Sequence, residues 1–208
     1  LLASSAASDV YKRQTCAGGI KYESFRRLQK ASHTGTHKAS MGNSRRDEKM
    51  KLSFWLNGVY RHDDVEPDTL LLDFLRDKGC YSVKRGCETA NCGLCTVLMD
   101  GKPVLSCSTL ALRAEGKKIV TMEGMQKEAE EFGAFLADEG AEQCGFCNPG
   151  FIMNVFAMEK ELENPSEEDV KEYLAGNLCR CSGFVGQTRS ILKYLEHKKS
   201  QKKEEAEE

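Results

Sequence analysis

Three cysteines at the spacing C-x4-C-x2-C (Cys87, Cys92 and Cys95), followed by Cys107, constrain this chain more than any other feature. Four thiolates carried by one tight loop and a nearby strand can converge on a single soft-metal centre. Thiolate sulfur suits Zn(II), Cu(I) or iron–sulfur clusters, and this spacing is the plant-type pattern for a [2Fe–2S] cluster. A second set follows as Cys144-x2-Cys147 and Cys179-x-Cys181, so eight of the ten cysteines fall into two quartets.

Taken alone, either C-x2-C pair favours structural zinc, and Cys92/Cys95 with Cys144/Cys147 would make one four-thiolate site. That arrangement leaves Cys87, Cys107, Cys179 and Cys181 without roles and the order of the first quartet unexplained, so iron–sulfur is preferred. Neither C-x2-C is followed by His, which excludes covalent haem attachment. Neither sits in the βαβ pattern that a thioredoxin-type pair requires. Cys80 lies outside both quartets and reads as a buried apolar thiol; Cys16 receives no role. None of His33, His37, His62 and His197 has ligand-like spacing. Gly86, Gly93 and Gly145 are expected to let backbone N–H groups turn toward the sulfurs, where such hydrogen bonds help to set a reduction potential.

The charge balance removes other classes. The chain has 208 residues and a formal net charge of −2, but residues 1–49 carry ten Lys/Arg against four Asp/Glu, leaving twenty against twenty-eight in 50–208. An acidic body is a poor footprint for neutralising phosphates, so no nucleic-acid partner is expected. No run approaches the roughly 20 apolar residues of a membrane span. With no intact secretory signal and with closely paired cysteines, a reducing cytoplasm is the expected compartment. Residues 1–14 resemble adapter-derived sequence, and 15–49 are basic, acid-poor and without period, which would also suit a transit peptide. The preferred expectation is that Met50 is the native start and 1–49 a non-native or disordered leader.

From Met50 onward the periodicity becomes informative. Leu52, Phe54 and Leu56 alternate with Lys51, Ser53 and Trp55, predicting a strand with one buried face. Asn57-Gly58 predicts a hairpin turn, with Val59–His62 as the returning strand. Asp68 or Thr69 is placed to cap a short helix carrying Leu71, Leu72, Phe74 and Leu75, which Gly79 would stop. Strands are expected at Thr96–Met99, Pro103–Cys107 and Lys118–Thr121. These elements make an α+β unit over 50–124. Residues 125–197 read as four helices with short connections, a small bundle. In it Met125–Ala137 is helix-like despite Gly133, Phe151, Val155, Met158 and Leu162 form one apolar stripe, and Ser166 with Asp169 caps a helix to Ala175. Ile191, Leu192 and Leu195 mark the last helix, and 198–208 reads as a disordered charged tail.

The motifs Gly86–Val97 with Asp100-Gly101 and Cys107, Gln143–Gly150, and Gly176–Phe184 together resemble the small [2Fe–2S] subunit of the molybdenum hydroxylases, the group of xanthine dehydrogenase, aldehyde oxidoreductase and carbon monoxide dehydrogenase. The resemblance spans residues 51–197. It implies a β-grasp, ferredoxin-like domain followed by an all-α four-helix bundle, with one cluster on Cys87, Cys92, Cys95 and Cys107 and a second on Cys144, Cys147, Cys179 and Cys181. It also implies a large partner subunit carrying molybdopterin, which Gln143 and Cys181 would approach, and a medium subunit carrying FAD. Electrons would pass from the partner's molybdopterin through the bundle cluster to the outer cluster and then to flavin, with no substrate pocket on this chain. Xanthine or another purine stands first among substrates, with aldehydes, nicotinate-like heterocycles and carbon monoxide open. The alternatives are a stand-alone ferredoxin and a zinc-stabilised binding module. The sequence departs from the family pattern at Ala90, where Gly is usual, and at Leu94, Asn148, Ser182 and Phe184, the last three beside the bundle quartet.

Overall fold

Burial of Leu52, Phe54 and Leu56, with Lys51 and Trp55 left exposed, defines strand β1 (Met50–Leu56). The computed structural model describes residues 49–207, so the expectations for 1–48 and for Cys16 lie outside the described residues. Asn57 and Gly58 adopt φ of +50° and +82°, the two left-handed residues of a turn whose twist matches that of the flanking strands. Strand β2 (Val59–Val65) then returns antiparallel, three residues longer than the expected Val59–His62.

Helix α1 (Leu71–Asp77) starts differently from the expectation. Neither Asp68 nor Thr69 caps it; Leu70 occupies the N-cap with no side-chain bond. The Leu71 N–H instead donates to the Thr109 carbonyl at 2.7 Å, and the Ala111 N–H donates to the Thr69 carbonyl at 2.8 Å. A first-turn donor needs any acceptor, and here a distant backbone supplies it. The helix ends as expected at Gly79, whose φ of +89° lets its own N–H reach the Arg76 carbonyl and that of Cys80 reach Leu75, both at 3.0 Å.

Strands β3 (Thr96–Met99) and β4 (Lys102–Leu105) form a hairpin about Asp100-Gly101, and β5 (Lys118–Val120) inserts between β1 and β3. The sheet order is β2-β1-β5-β3-β4, with β5 parallel to β1 and antiparallel to β3. Phe54 meets Phe74 of α1 at 5.5 Å between ring centroids, within a core that also holds Leu52, Leu71, Leu72 and Leu75. This is the α+β first half. The strand expected over Pro103–Cys107 stops at Leu105, and Ser106–Ser108 make a 3-10 turn. The Ser106 N–H and hydroxyl both donate to the Cys95 carbonyl, at 3.3 and 2.7 Å, which turns the chain out of the sheet and carries Cys107 toward Cys95.

The second half contributes α2 (Gln126–Asp138), α3 (Asn148–Glu161), α4 (Glu167–Tyr173) and α5 (Phe184–Glu207). They share a core of Phe132, Leu136, Phe151, Val155, Val170, Ile191 and Tyr194. Ser166 and Asp169 form the expected capping box, although α4 ends at Tyr173, two residues short of Ala175. Residues 198–207, expected to be disordered, continue α5 as helix, and Lys198 reaches Glu131 of α2 at 3.2 Å. Extending a helix that is already nucleated and docked costs far less than starting one, so the charged tail is carried along. Helix α3 also departs from a single apolar stripe. Gly150, Met153 and Ala157 are buried in addition to Phe151, Val155 and Met158, and Met153 and Ala157 pack on Leu98 of β3. Helix α3 therefore serves both the bundle and the sheet. No helix among the described residues is long and apolar enough to cross a membrane.

Candidate metal centres

The first quartet hangs on the irregular segment between α1 and β3 and on the 3-10 turn after β4. Cys92 and Cys95 are buried, Cys87 and Cys107 partly so. Backbone N–H groups of Asn91 and Thr89 point at the Cys87 sulfur, and with the Cys92 thiol they bring its pKa down to about 6. Cys92, desolvated and donating to Cys87, is pushed up. Burial and a hydrogen bond with Cys95 likewise raise Cys107, which also feels Cys87 and Cys92 electrostatically. The thiols thus meet as Cys87 with Cys92 and Cys95 with Cys107.

One residue of this loop does something other than the sequence suggested. Gly86 is not left-handed; a Cβ there would stand 3.2 Å from the Cys92 sulfur and 2.7 Å from Leu94 Cδ2, so it supplies room. Ala90 does take a left-handed φ of +54°. Gly93 meets its expectation, with φ of +72°.

The second quartet lies where the chain enters α3 and where it passes from α4 to α5. The sulfurs of Cys144 and Cys181 are 3.4 Å apart and both residues are exposed. The Phe146 N–H and the Cys181 thiol lower the pKa of Cys144, and the same thiol–thiol bond raises that of Cys181. Burial and the bond to Cys179 push Cys147 up to about 11. Burial also works to raise Cys179, but the N–H groups of Cys181 and Gly183 and the Ser182 hydroxyl outweigh it and hold the thiol at about 7. Two of the departures from the family pattern therefore stand beside ligand candidates: Ser182 Oγ is 3.8 Å from Cys179 Sγ, and Asn148 Oδ1 is 3.8 Å from Cys147 Sγ. Gln143 is exposed next to Cys144.

Gln187 went unnoticed in the sequence. It is 2% exposed, and its Nε2 lies 3.8 Å from Cys147 Sγ. The available signal was periodicity: Gln187 precedes Ile191 and Leu195 at four-residue steps, so an amide occupies the buried face of α5.

The two loops meet back to back. The Leu178 N–H, one residue before Cys179, donates to the Cys92 carbonyl at 2.9 Å. Asn177 donates to the Gly93 carbonyl at 3.5 Å and accepts from Asn154 of α3. Gly150 of α3 comes so close that a Cβ would lie 2.2 Å from the Gly93 oxygen. Lys84 reaches across to the Phe146 carbonyl at 3.2 Å, and Ser82 donates twice to Glu123, at 2.8 and 2.6 Å.

The thiols approach in twos, Cys87 with Cys92 and Cys95 with Cys107 at one site, and Cys144 with Cys181 and Cys147 with Cys179 at the other. Two pairs to a site is the donor count that a binuclear cluster with one pair on each iron would take. All nine described cysteines are free thiols.

Residues 56–119 match the 2Fe-2S iron-sulfur cluster binding domain family, and residues 121–206 match the [2Fe-2S] binding domain family. The nicotinate dehydrogenase small FeS subunit of Eubacterium barkeri is 39% identical over 140 residues, covering 66% of this chain and 89% of that protein. The xanthine dehydrogenase iron-sulfur-binding subunit of Escherichia coli O157:H7 is 43% identical over 149 residues, covering 70% and 94%. A chain of quinoline 2-oxidoreductase from Pseudomonas putida 86 superposes with a TM-score of 0.65 at 39% identity, over 69% of this chain and 90% of that one. Two cluster-binding halves in this order, matched over nearly the full length of such relatives, place the chain in the family of small [2Fe–2S] subunits of the molybdenum hydroxylases.

Proposed function

We propose that this subunit relays single electrons between a molybdopterin-bearing large subunit and a FAD-bearing medium subunit, using Cys87, Cys92, Cys95 and Cys107 for one cluster and Cys144, Cys147, Cys179 and Cys181 for the other. Each cluster, when bound, supplies a one-electron carrier. The chain itself supplies the rest. It presents sulfurs in pairs, aims backbone N–H groups at them, and joins the two sites through the Leu178 N–H and the Cys92 carbonyl at 2.9 Å. That bond carries the relay reading, because it leaves only short backbone stretches between a ligand of one site and a ligand of the other. A zinc-stabilised module has no use for such a link.

Direction follows from exposure. The second quartet has two exposed thiols, and its segments carry the exposed apolar residues Phe146, Leu178, Phe184 and Val185. An apolar rim around exposed ligands suits a permanent partner, so this end faces the molybdopterin subunit, with Gln143 and Cys181 nearest to it. The first quartet then delivers to flavin. Cysteines packed as C-x2-C and C-x-C, in the manner of metal ligands rather than of staples across loops, favour the cytoplasm. The xanthine and nicotinate named for the relatives favour a purine or related nitrogen heterocycle as the holoenzyme's substrate.

Anaerobically purified full chain should contain about four iron and about four sulfide, with two distinct reduced-state EPR signals; a colourless protein holding zinc overturns the reading. In the assembled enzyme, Cys181→Ser should slow electron exit from molybdenum. Cys87→Ser should spare reduction of the bundle cluster and block delivery to flavin, and intact flavin-side turnover in Cys87→Ser would reverse the assigned order.

A further inference from the structure

Gln187 is a polar side chain in an apolar place. It sits in the first turn of α5 at 2% exposure, on the face that continues to Ile191 and Leu195. Glutamine is seldom buried so completely, and when it is, both ends of the amide are normally paired. Here only one end is. Nε2 donates to Cys147 Sγ at 3.8 Å, while Oε1 is buried with no partner among the described residues. An amide kept in the core for structural reasons alone would satisfy its carbonyl as well. Leaving it unsatisfied is a cost, so the N–H is the useful end, and its partner is a cluster-ligand candidate.

The orientation has electrostatic sense. An iron-bound thiolate has no proton to give, so it can pair with an amide N–H and not with an amide oxygen. The other side-chain groups bonded to the Cys147 sulfur are the Cys179 thiol, itself a ligand candidate with no proton to give once iron-bound, and Asn148 Oδ1, an acceptor. Gln187 is therefore the side-chain donor at that sulfur. Adding one electron to the centre adds one negative charge, part of which resides on the ligand sulfurs, and a fixed N–H dipole stabilises that charge more than it stabilises the oxidised form.

We infer that Gln187 is a positioning residue whose side-chain N–H, directed at the Cys147 sulfur, raises the reduction potential of the bundle cluster. The inference rests on the proposed ligation by Cys147. It goes beyond it in assigning to a residue outside both quartets the tuning of one cluster and not the other.

The test is an anaerobic redox titration of the iron-loaded full chain, with each cluster followed by its own EPR signal. The bundle signal is identified as the one that Cys147→Ser displaces. Gln187→Leu removes the donor at similar volume. It should keep the iron content and move the oxidised-to-reduced ratio of the bundle cluster about tenfold toward oxidised at a given potential, about 59 mV lower for a one-electron couple. The other cluster should stay in place. Gln187→Glu keeps the shape, exchanges the donor for an acceptor, and should lower the same potential further; it decides the matter if the leucine variant loses iron. An unmoved bundle potential in iron-replete Gln187→Glu, or equal shifts in both clusters, overturns the inference. If Cys147→Ser leaves both signals and the iron content untouched, the ligation itself is wrong, which is a separate failure.

Discussion

One methyl group, added at two different helical glycines, should change stability in opposite directions. At Gly150 in α3 an added Cβ would lie 2.2 Å from the Gly93 oxygen, 2.8 Å from Leu94 Cα and 2.9 Å from Leu94 C. All three are backbone atoms, so no rotamer change relieves the clash. Ordinary contact begins near 3.4 Å, so α3 and the first cluster loop must separate by about 1 Å. Overpacking of this kind costs about 1–3 kcal/mol. Taking about 2 kcal/mol, and about 2–4 °C per kcal/mol for a chain of this size, Gly150→Ala should melt roughly 4–8 °C below the wild type. Gly133 in α2 has no neighbour within 4 Å of the same ideal Cβ. There alanine only removes the entropic cost of glycine and should stabilise by about 0.5–1 kcal/mol. The assay is circular-dichroism melting of the iron-loaded proteins at one scan rate, since cluster loss makes unfolding irreversible. A local signature accompanies it. Separating the loops stretches the Leu178–Cys92 hydrogen bond, so magnetic coupling between the two reduced clusters should weaken in Gly150→Ala and stay unchanged in Gly133→Ala. A Gly150→Ala protein that melts at or above the wild type with coupling intact would refute the close approach on which the relay depends.

Glu123 and Cys80 give two further tests. Burial would raise the pKa of Glu123, but donors from the Ser82 hydroxyl, the Thr121 hydroxyl and the Ser82 N–H outweigh it and hold the carboxyl below its ordinary value of 4.5. A depressed folded pKa gives stability that is fully present above the unfolded value and is lost as pH falls through the folded one. Denaturant titrations should therefore show Glu123→Gln about 1–2 kcal/mol less stable than wild type above pH 5, a gap that closes below about pH 4.5; a gap that widens in acid contradicts the assignment. Cys80 is buried just after Gly79, where its N–H closes the end of α1, and burial pushes its thiol up. Cys80→Ala should cost about 1–2 kcal/mol in chemical denaturation while iron content holds, whereas Cys95→Ala should lose iron; iron loss from Cys80→Ala would show that the two quartets are not the complete ligand set.

The features legible in the sequence share one property: their causes lie within a few residues. The alternation in β1, the left-handed pair Asn57-Gly58, the stop at Gly79 and the capping box at Ser166 each depend on local backbone geometry, and each appears where expected. The two cysteine quartets were legible for a related reason. A metal centre requires its donors in number and type, and eight thiols in these spacings leave few alternatives.

What the tertiary structure decided involves partners far apart in the chain. The donor at the start of α1 is satisfied by Thr109, and Cys107 leaves the sheet because Ser106 bonds to Cys95. Helix α3 shows a second buried face only once β3 lies against it, and α5 continues through a charged tail because its upstream turns are already docked. The sequence by itself determined which thiols are the candidate ligands and which local turns carry them. Only the tertiary structure decided which thiol meets which, that Leu178 touches Cys92, and that Gln187 faces Cys147. Chain spacing limits how far apart two groups can be, but their hydrogen-bond distances are set by how the sheet and the bundle pack on the shared helix.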